Sequence, residues 1–525
     1  MRRDLCQPRM RSLREAGKAP AMTRLLVALL VLVVLLPSPH PAAATAQAET
    51  WPTGTPEAHG FDSASLADVL PTIQKQVPRL HSLLMIGDGE AFLDASFYPY
   101  DGTTPHDLAS VTKSVTTTLI GIAIDQGRLS LDDPALSFFP GRTIAHRDAR
   151  KEALTVGDLA SMQTGLDCVW QPDEPTLAAM EASPDPVQFT LDLPMVAEPG
   201  TTWEYCSPGM HLLSAILTRA TGMTELDFAW QYLFGPLGMR EVIWPADPQG
   251  VTHGWGDLML RPHDAAKLGQ LWLNGGEWER RRIVSKAWVD AAVSSQATTS
   301  VENQDYGYGW WIERESEVGG QYAAEGRGGQ YVVVYPALKL VVTITGNGDF
   351  GIGDVTDRLA PALTDAGNPL PENPAAVDRL HETIARLAEA PPAEKVPPLP
   401  AVAERISGIA YTMVSNPANI ESIRFEVTGA TEMTVTIALA DEPAPIVAAI
   451  GLDGVYRFAP GENGLPTAAR GQWEDERTFV FNIDNLANLN RYTVRSRFEG
   501  DAIAVEITDH ESDEVIPLKG TATPR

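Results

Sequence analysis

A chain of 525 residues with 44% hydrophobic content is too long for one small domain and rich enough for two or three globular cores. Its 40 Lys and Arg stand against 68 Asp and Glu, a net charge of −28; residues 1–47 alone hold seven basic and two acidic residues, so the remainder reaches −33. A surface of that sign repels nucleic acid and anionic membranes, and a nucleic-acid partner is set aside.

The basic N-terminus explains the asymmetry. Arg24 precedes twelve apolar residues, Leu25 to Leu36, which Pro37 breaks before the small residues Ala42-Ala43-Ala44-Thr45-Ala46. A basic segment, a short apolar segment and small-residue cleavage sites read as a signal peptide over residues 1–48. Twelve residues are short for a bilayer span, so the expectation is export with no stable membrane span after signal removal. The alternative is an uncleaved anchor. Cys6 leaves with the signal, so Cys168 and Cys206 enter an oxidising compartment. Count alone leaves open a disulfide or two unrelated buried thiols.

From Trp51 to about Glu389 helical and strand-like segments alternate. Asp62 or Ser63 caps a first helix. His81 to Phe97 reads as one or two strands around the turn signal Gly87-Asp88-Gly89. A helix starts at Ser110 and runs to about Gly127. Further helices are expected from Thr155 to Met162, Ser207 to Gly222 and Thr224 to Leu233, and another, capped by Arg261-Pro262-His263-Asp264, runs to Leu273. Tyr306 to Ile312 reads as one strand, Gln330–Tyr335 and Lys339–Thr345 as a hairpin, and Pro361 to Glu389 as helix. Strands at both ends with helices between predict one antiparallel sheet with a helical insertion, an α+β unit spanning 49–390 with a cleft at the junction. Residues 391–400, Pro-Pro-Ala-Glu-Lys-Val-Pro-Pro-Leu-Pro, form a stiff linker. Beyond it, over 401–525, short β-rich runs separated by turn residues predict an all-β small barrel or sandwich. The expected runs are 422–427, 433–439, 446–450, 455–458, 478–483, 491–498 and 502–507. No catalytic constellation is visible there, and a lid, a binding module or an oligomerisation surface is the expected role.

Ser110-Val111-Thr112-Lys113 carries the chemistry. Residues i and i+3 share a helix face, so the Ser110 hydroxyl and the Lys113 amine can meet. Serine needs a neighbouring base, and a desolvated lysine is neutral often enough to serve. The helix start adds a positive partial charge and free N–H groups. The plain alternative is an N-cap serine followed by a surface lysine.

The quartet heads an ordered series. Gly127-Arg128-Leu129-Ser130-Leu131-Asp132-Asp133-Pro134 follows it, then Leu154 to Leu166 with Gln163-Thr164-Gly165. Next come Glu198-Pro199-Gly200-Thr201, Trp203-Glu204-Tyr205-Cys206-Ser207, Pro236-Leu237-Gly238-Met239 and Glu325-Gly326-Arg327-Gly328-Gly329-Gln330. Over roughly residues 50–370 this series resembles the class C β-lactamase-like serine hydrolases, which include penicillin-binding peptidases, esterases and 6-aminohexanoate-dimer hydrolase. The resemblance implies a β-lactamase/transpeptidase-like fold, an antiparallel sheet flanked by helices plus an all-helical region.

By that resemblance Ser110 is the acylated nucleophile, Lys113 its base or proton shuttle, and Tyr205 a second acid/base whose pKa the Lys113 ammonium is expected to lower. Ser207 takes the third place of the Tyr-x-Asn-type motif, offering a hydroxyl to a substrate amide. Gly326, Arg327 and Gly328 line the strand beside the nucleophile. The Arg327 N–H is expected to complete the oxyanion hole with that of Ser110, while the Arg327 guanidinium either reads a substrate carboxylate or pairs with Glu325. Trp170 is expected at the rim. Cys168 and Cys206 border the same cleft, and a disulfide between them is expected to fix the Tyr205 loop. The family's Lys-Thr-Gly is missing, which favours an esterase or amidase over a true β-lactamase. A D-Ala-D-Ala-type peptidase or weak β-lactamase is the alternative, and a non-catalytic cell-wall-peptide-binding protein the second. No metal or organic cofactor is implied. The expected partner is a small-molecule ester, amide or peptide substrate; the oligomeric state is left open.

Overall fold

The computed structural model describes residues 51–525 except 315–319, 367, 441–443, 462–463 and 524–525, so the expected signal segment lies outside the described residues. No described helix is long and apolar enough to cross a membrane. The two ends of the first unit meet in one eight-stranded sheet. Strands β1 (Leu80–Gly87) and β2 (Glu90–Ser96) come before the helical insertion. After it come β3 (Ala297–Thr298), β4 (Gln304–Tyr306), β5 (Trp311–Glu313), β6 (Gln321–Gly326), β7 (Gln330–Tyr335) and β8 (Leu340–Gly346). The order is β2-β1-β8-β7-β6-β5-β4-β3, antiparallel throughout.

Successive side chains of a strand point to opposite faces, and here both faces are covered. On β1, Leu83 and Met85 join one core with Leu66 and Leu70 of helix α1 (Ser63–Gln76). Leu84 and Ile86 join the other, larger core. That is why β1 and β8 are buried at every position and read as continuous apolar runs.

The large core surrounds helix α2 (Val111–Asp125), which is buried from Val111 to Ala123 despite five Ser and Thr. Propensity argues against so β-branched a helix; tertiary context overrides it. Its hydroxyls are bonded rather than orphaned: Ser114 donates to Gly309 O at 2.5 Å and Thr116 to Gly254 O at 2.7 Å. Helices α3 (Ser207–Thr221) and α4 (Pro262–Leu273) pack around it, and α5 (Pro374–Ala388) covers the outer face with α1.

Several expectations need correction. The run Tyr306–Ile312 is two strands, because Gly309 takes a φ of 78° and turns the chain between β4 and β5. The helix expected from Pro361 starts at Pro374, where the Asn373 side chain accepts from Ala376 N. Thr224–Leu233 is a short α-helix, Glu225–Ala229, followed by a π-turn, Trp230–Phe234.

Ten strands between Ile409 and Ala522 make a second sheet. It closes where Gly451 pairs with Arg470, so nine strands complete a barrel and Arg457–Pro460 is an added edge. Phe425, Phe479, Phe481 and Phe498 fill its interior. Three of its strands, Ile409–Met413, Pro466–Trp473 and Val515–Ala522, fall outside the expected runs. Residues 391–400 carry no helix or strand, yet they are seated: Val396 and Leu399 pack on the barrel core and Glu394 N donates to Asp453 O at 2.8 Å. The barrel is docked on the first unit through a shared cluster of Tyr100, Tyr456, Ala468 and Leu486.

Candidate active site

Ser110 stands at the N-cap position of α2, but its hydroxyl makes no capping bond. The plain reading of a capping serine and a surface lysine therefore fails on both counts, since Lys113 is 1% exposed. The Lys113 Nζ lies 2.7 Å from Ser110 Oγ and 2.7 Å from the Trp255 carbonyl oxygen. Behind Ser110, Ala109 takes a left-handed φ of 45°, a conformation that costs an alanine about 1–3 kcal/mol. Buried Asp107 holds it: its Oδ1 accepts from Ala109 N at 2.8 Å.

Tyr205 comes to the same point from the turn before α3. Its side chain reaches Ser110, which favours the ionised phenol, and Lys113 Nζ sits 4.8 Å from its ring centroid. Trp170 packs on it at 5.7 Å and Trp311 stacks on it at 6.0 Å. Trp170 is half-buried within this aromatic wall. Cys168 and Cys206 are joined as a disulfide, which ties the loop of residues 168–174 to the start of α3. Ser207 gives its proton to Glu174, so its hydroxyl serves the loop rather than standing free for a substrate amide.

Strand β6 closes the site. A Cβ on Gly326 would lie 2.4 Å from Leu108 O and 3.1 Å from Ser110 N, so this glycine lets β6 run against the nucleophile. Neither the Ser110 nor the Arg327 N–H makes a backbone hydrogen bond among the described residues. The turn after β6 is braced by Gln330, whose amide donates to Gly328 O and Gly346 O. The Arg327 guanidinium pairs neither with Glu325 nor with an open cleft. It pairs with Glu511 of the barrel at 2.8 Å, while Glu325 accepts from Gln304 at 3.1 Å.

Burial moves the pKa values of the two partners of Ser110 in opposite directions. Burial holds Lys113 down to about 8, against the raising pull of the Glu174 carboxylate. Tyr205 is pushed well up, first by burial and then by Glu174, so the expected lowering by Lys113 is overturned. Near neutral pH the minor neutral fraction of the lysine can accept a proton, a fraction that grows as pH rises through about 8, and the tyrosine is a hydroxyl able to pass one on.

The family model described as Beta-lactamase matches residues 79–364. The chain belongs to the β-lactamase family. It is 24% identical over 256 residues to the 6-aminohexanoate-dimer hydrolase of Paenarthrobacter ureafaciens, covering 46% of this chain and 64% of that relative. It is 25% identical over 301 residues to penicillin-binding protein 4 of Amycolatopsis lactamdurans, covering 50% and 77%. Among solved structures, the octameric penicillin-binding protein homologue from Pyrococcus abyssi aligns with a TM-score of 0.50 and 18% identity, over 87% of this chain and 100% of that one. That likeness shows the fold, and it extends beyond the first unit into the barrel. The chain spans less than two thirds of the length of the 6-aminohexanoate-dimer hydrolase, and the family match gives it the β-lactamase fold.

In this β-lactamase-family chain, Asp107, Glu174, Trp255, Trp311 and Glu511 surround the expected residues without having been singled out by the sequence. Glu174 yields a direct prediction. Its carboxylate favours the protonated lysine, so Glu174→Gln lowers the Lys113 pKa. The acid limb of kcat/KM for a chromogenic ester then moves to lower pH, and the rate at neutral pH rises on that account. A pH–rate profile unchanged or shifted upward would show that Glu174 does not act on Lys113.

Proposed function

We propose that this protein is an exported serine hydrolase that cleaves an ester or amide bond through an acyl-enzyme on Ser110. The observation that carries the reading is the buried Lys113 amine, 2.7 Å from Ser110 Oγ and held down to about 8. Ser110 Oγ attacks the substrate carbonyl as its proton passes to Lys113 Nζ. The oxygen that gains charge faces the N–H groups of Ser110 and Arg327. On collapse, the Tyr205 hydroxyl gives its proton to the leaving alcohol or amine and is resupplied from Lys113. Water then attacks the acyl-enzyme with the same groups acting in reverse, and Ser110 regains its proton.

Glu325 lies on β6 next to Gly326, and burial pushes it up to about 7. A group that is partly anionic at neutral pH repels the carboxylate of a penicillin or of a C-terminal D-alanine. This supports an ester or uncharged amide over both as substrate. Export rests on the Arg24 and Leu25–Leu36 segment. The test is labelling with a fluorophosphonate probe followed by peptide mapping. The expected adduct is on Ser110 and is absent from Ser110→Ala; no adduct on intact protein, or equal labelling of the variant, sinks the reading.

A further inference from the structure

The barrel touches the first unit at the two segments that carry the proposed oxyanion hole. On the nucleophile side, Asp107 N donates to Ala487 O at 2.8 Å, three residues before Ser110, and the Asp107 carboxylate in turn holds Ala109 N. On the β6 side, the Arg327 guanidinium is paired with Glu511 at 2.8 Å. Leu489, 5% exposed, lies over the next residue: its Cδ2 is 2.5 Å from where a Cβ on Gly328 would stand.

These contacts come from two barrel loops that are themselves fastened together. Asn490 donates to the second carboxylate oxygen of Glu511 at 2.8 Å, and Glu511 N donates to Asp509 Oδ1 at 2.8 Å. Glu511 is therefore held in place before it meets Arg327. A separate anchor fixes the barrel as a body: Asp484 pairs with Arg79 at 2.9 Å and accepts from Asn347 at 2.6 Å. This anchor and the tyrosine cluster join the two units at places other than residues 107, 327 and 328. The grip on residues 107, 327 and 328 is additional, and it falls on the segments on either side of one chemical feature.

We propose that the C-terminal barrel is a working part of the acyl-transfer site: Glu511, Ala487 and Leu489 are positioning residues that set the Ser110 and Arg327 N–H groups as an oxyanion hole. The proposal rests on the acyl-enzyme reading above. Oxyanion donors act on the transition state and not on the bound substrate, so a loosened hole lowers kcat and leaves KM nearly unchanged. Because Glu511 acts through Arg327, the two side chains form one unit whose losses do not multiply.

The experiment is steady-state hydrolysis of p-nitrophenyl butyrate by the full chain and by Glu511→Ala, Arg327→Met, their double variant, Leu489→Ala and Ser110→Ala. Melting curves identify variants that still fold. The expected result is a loss of about tenfold or more in kcat for Glu511→Ala, with KM within about twofold, and a double variant no worse than the worse single. Leu489→Ala, which keeps the ion pair, is expected to lower kcat in the same way and stands in for Glu511→Ala if that variant does not fold. An unchanged kcat in the folded barrel variants, a loss in KM alone, or losses that multiply overturns the proposal. Ser110→Ala separates the two ideas. If it keeps turnover, the acyl-enzyme reading falls and this proposal with it. If it is inactive while the barrel variants are fully active, the barrel proposal alone falls.

Discussion

Lys113→Met is expected to lower kcat/KM about 10⁴-fold, close to the loss in Ser110→Ala, and the double variant is expected to be no worse than the poorer single. The lysine is almost wholly buried, with two oxygen partners at 2.7 Å, Ser110 Oγ and Trp255 O. Methionine fills much of the same volume and removes only the amine. It leaves the Trp255 carbonyl unpaired, a cost of about 1–3 kcal/mol. The burden of a buried cation disappears at the same time, so the fold is expected to survive. The profile of kcat/KM against pH gives the second check. The basic form of the amine is the neutral one, so the wild-type rate climbs as pH rises through about 8. The residual rate of Lys113→Met lacks that limb. Activity above about a tenth of wild type, or a limb that persists, would exclude Lys113 as the base.

What the sequence made legible follows from how local each interaction is. Ser110 and Lys113 meet across three residues of one helix, so their spacing alone brings them together. Tyr205 lies 95 positions from Ser110 and became visible only through the order of several motifs. Glu174 carries no such mark. A disulfide six residues earlier and a left-handed φ of 44° bring it to Ser207. Trp311 sits in a run that reads as one strand until Gly309 turns it. The direction of the Tyr205 pKa was misread because a neighbouring cation is apparent in a motif, whereas burial by Trp170, Trp203 and Trp311 is not.

The same distinction holds in the barrel. Strands with plain alternation, such as Arg491–Glu499 and Ala502–Asp509, can be read from their pattern of buried and exposed positions. Pro466–Trp473 hides because its buried positions are small: Ala469 faces the barrel interior, Ala468 faces the docking cluster on the other side, and Gly471 lies so close to its partner that a Cβ would be 2.6 Å from Phe481 Cβ. Val515–Ala522 hides behind Pro517. That proline is tolerated because Ile409–Met413 pairs only with residues 520–522, leaving position 517 an open side. The grip of Glu511 on Arg327 joins positions 184 apart, and neither side chain carries a periodic or motif signal for it.

Gly326→Ala is expected to lower kcat by about 10²–10³-fold while the protein still folds. An alanine Cβ at this position would stand 2.4 Å from Leu108 O, which is backbone and cannot rotate away. The strain is relieved only if β6 and the Leu108–Ser110 segment move apart. Those two segments carry the proposed oxyanion donors, so relief of the clash widens the hole. Lys113 lies inside α2 and Tyr205 just before α3, away from the clash, and they keep their mutual contact. Binding of substrate, which uses the wider cleft, is expected to change little, and the loss appears in kcat. Gly429→Ala serves as the control: it sits in a barrel turn with nothing within 4 Å of the added Cβ, and its activity is expected to match wild type. If Gly326→Ala instead keeps kcat and raises KM, β6 is a wall for substrate rather than a donor to the oxyanion, and the Arg327 N–H loses its assigned role.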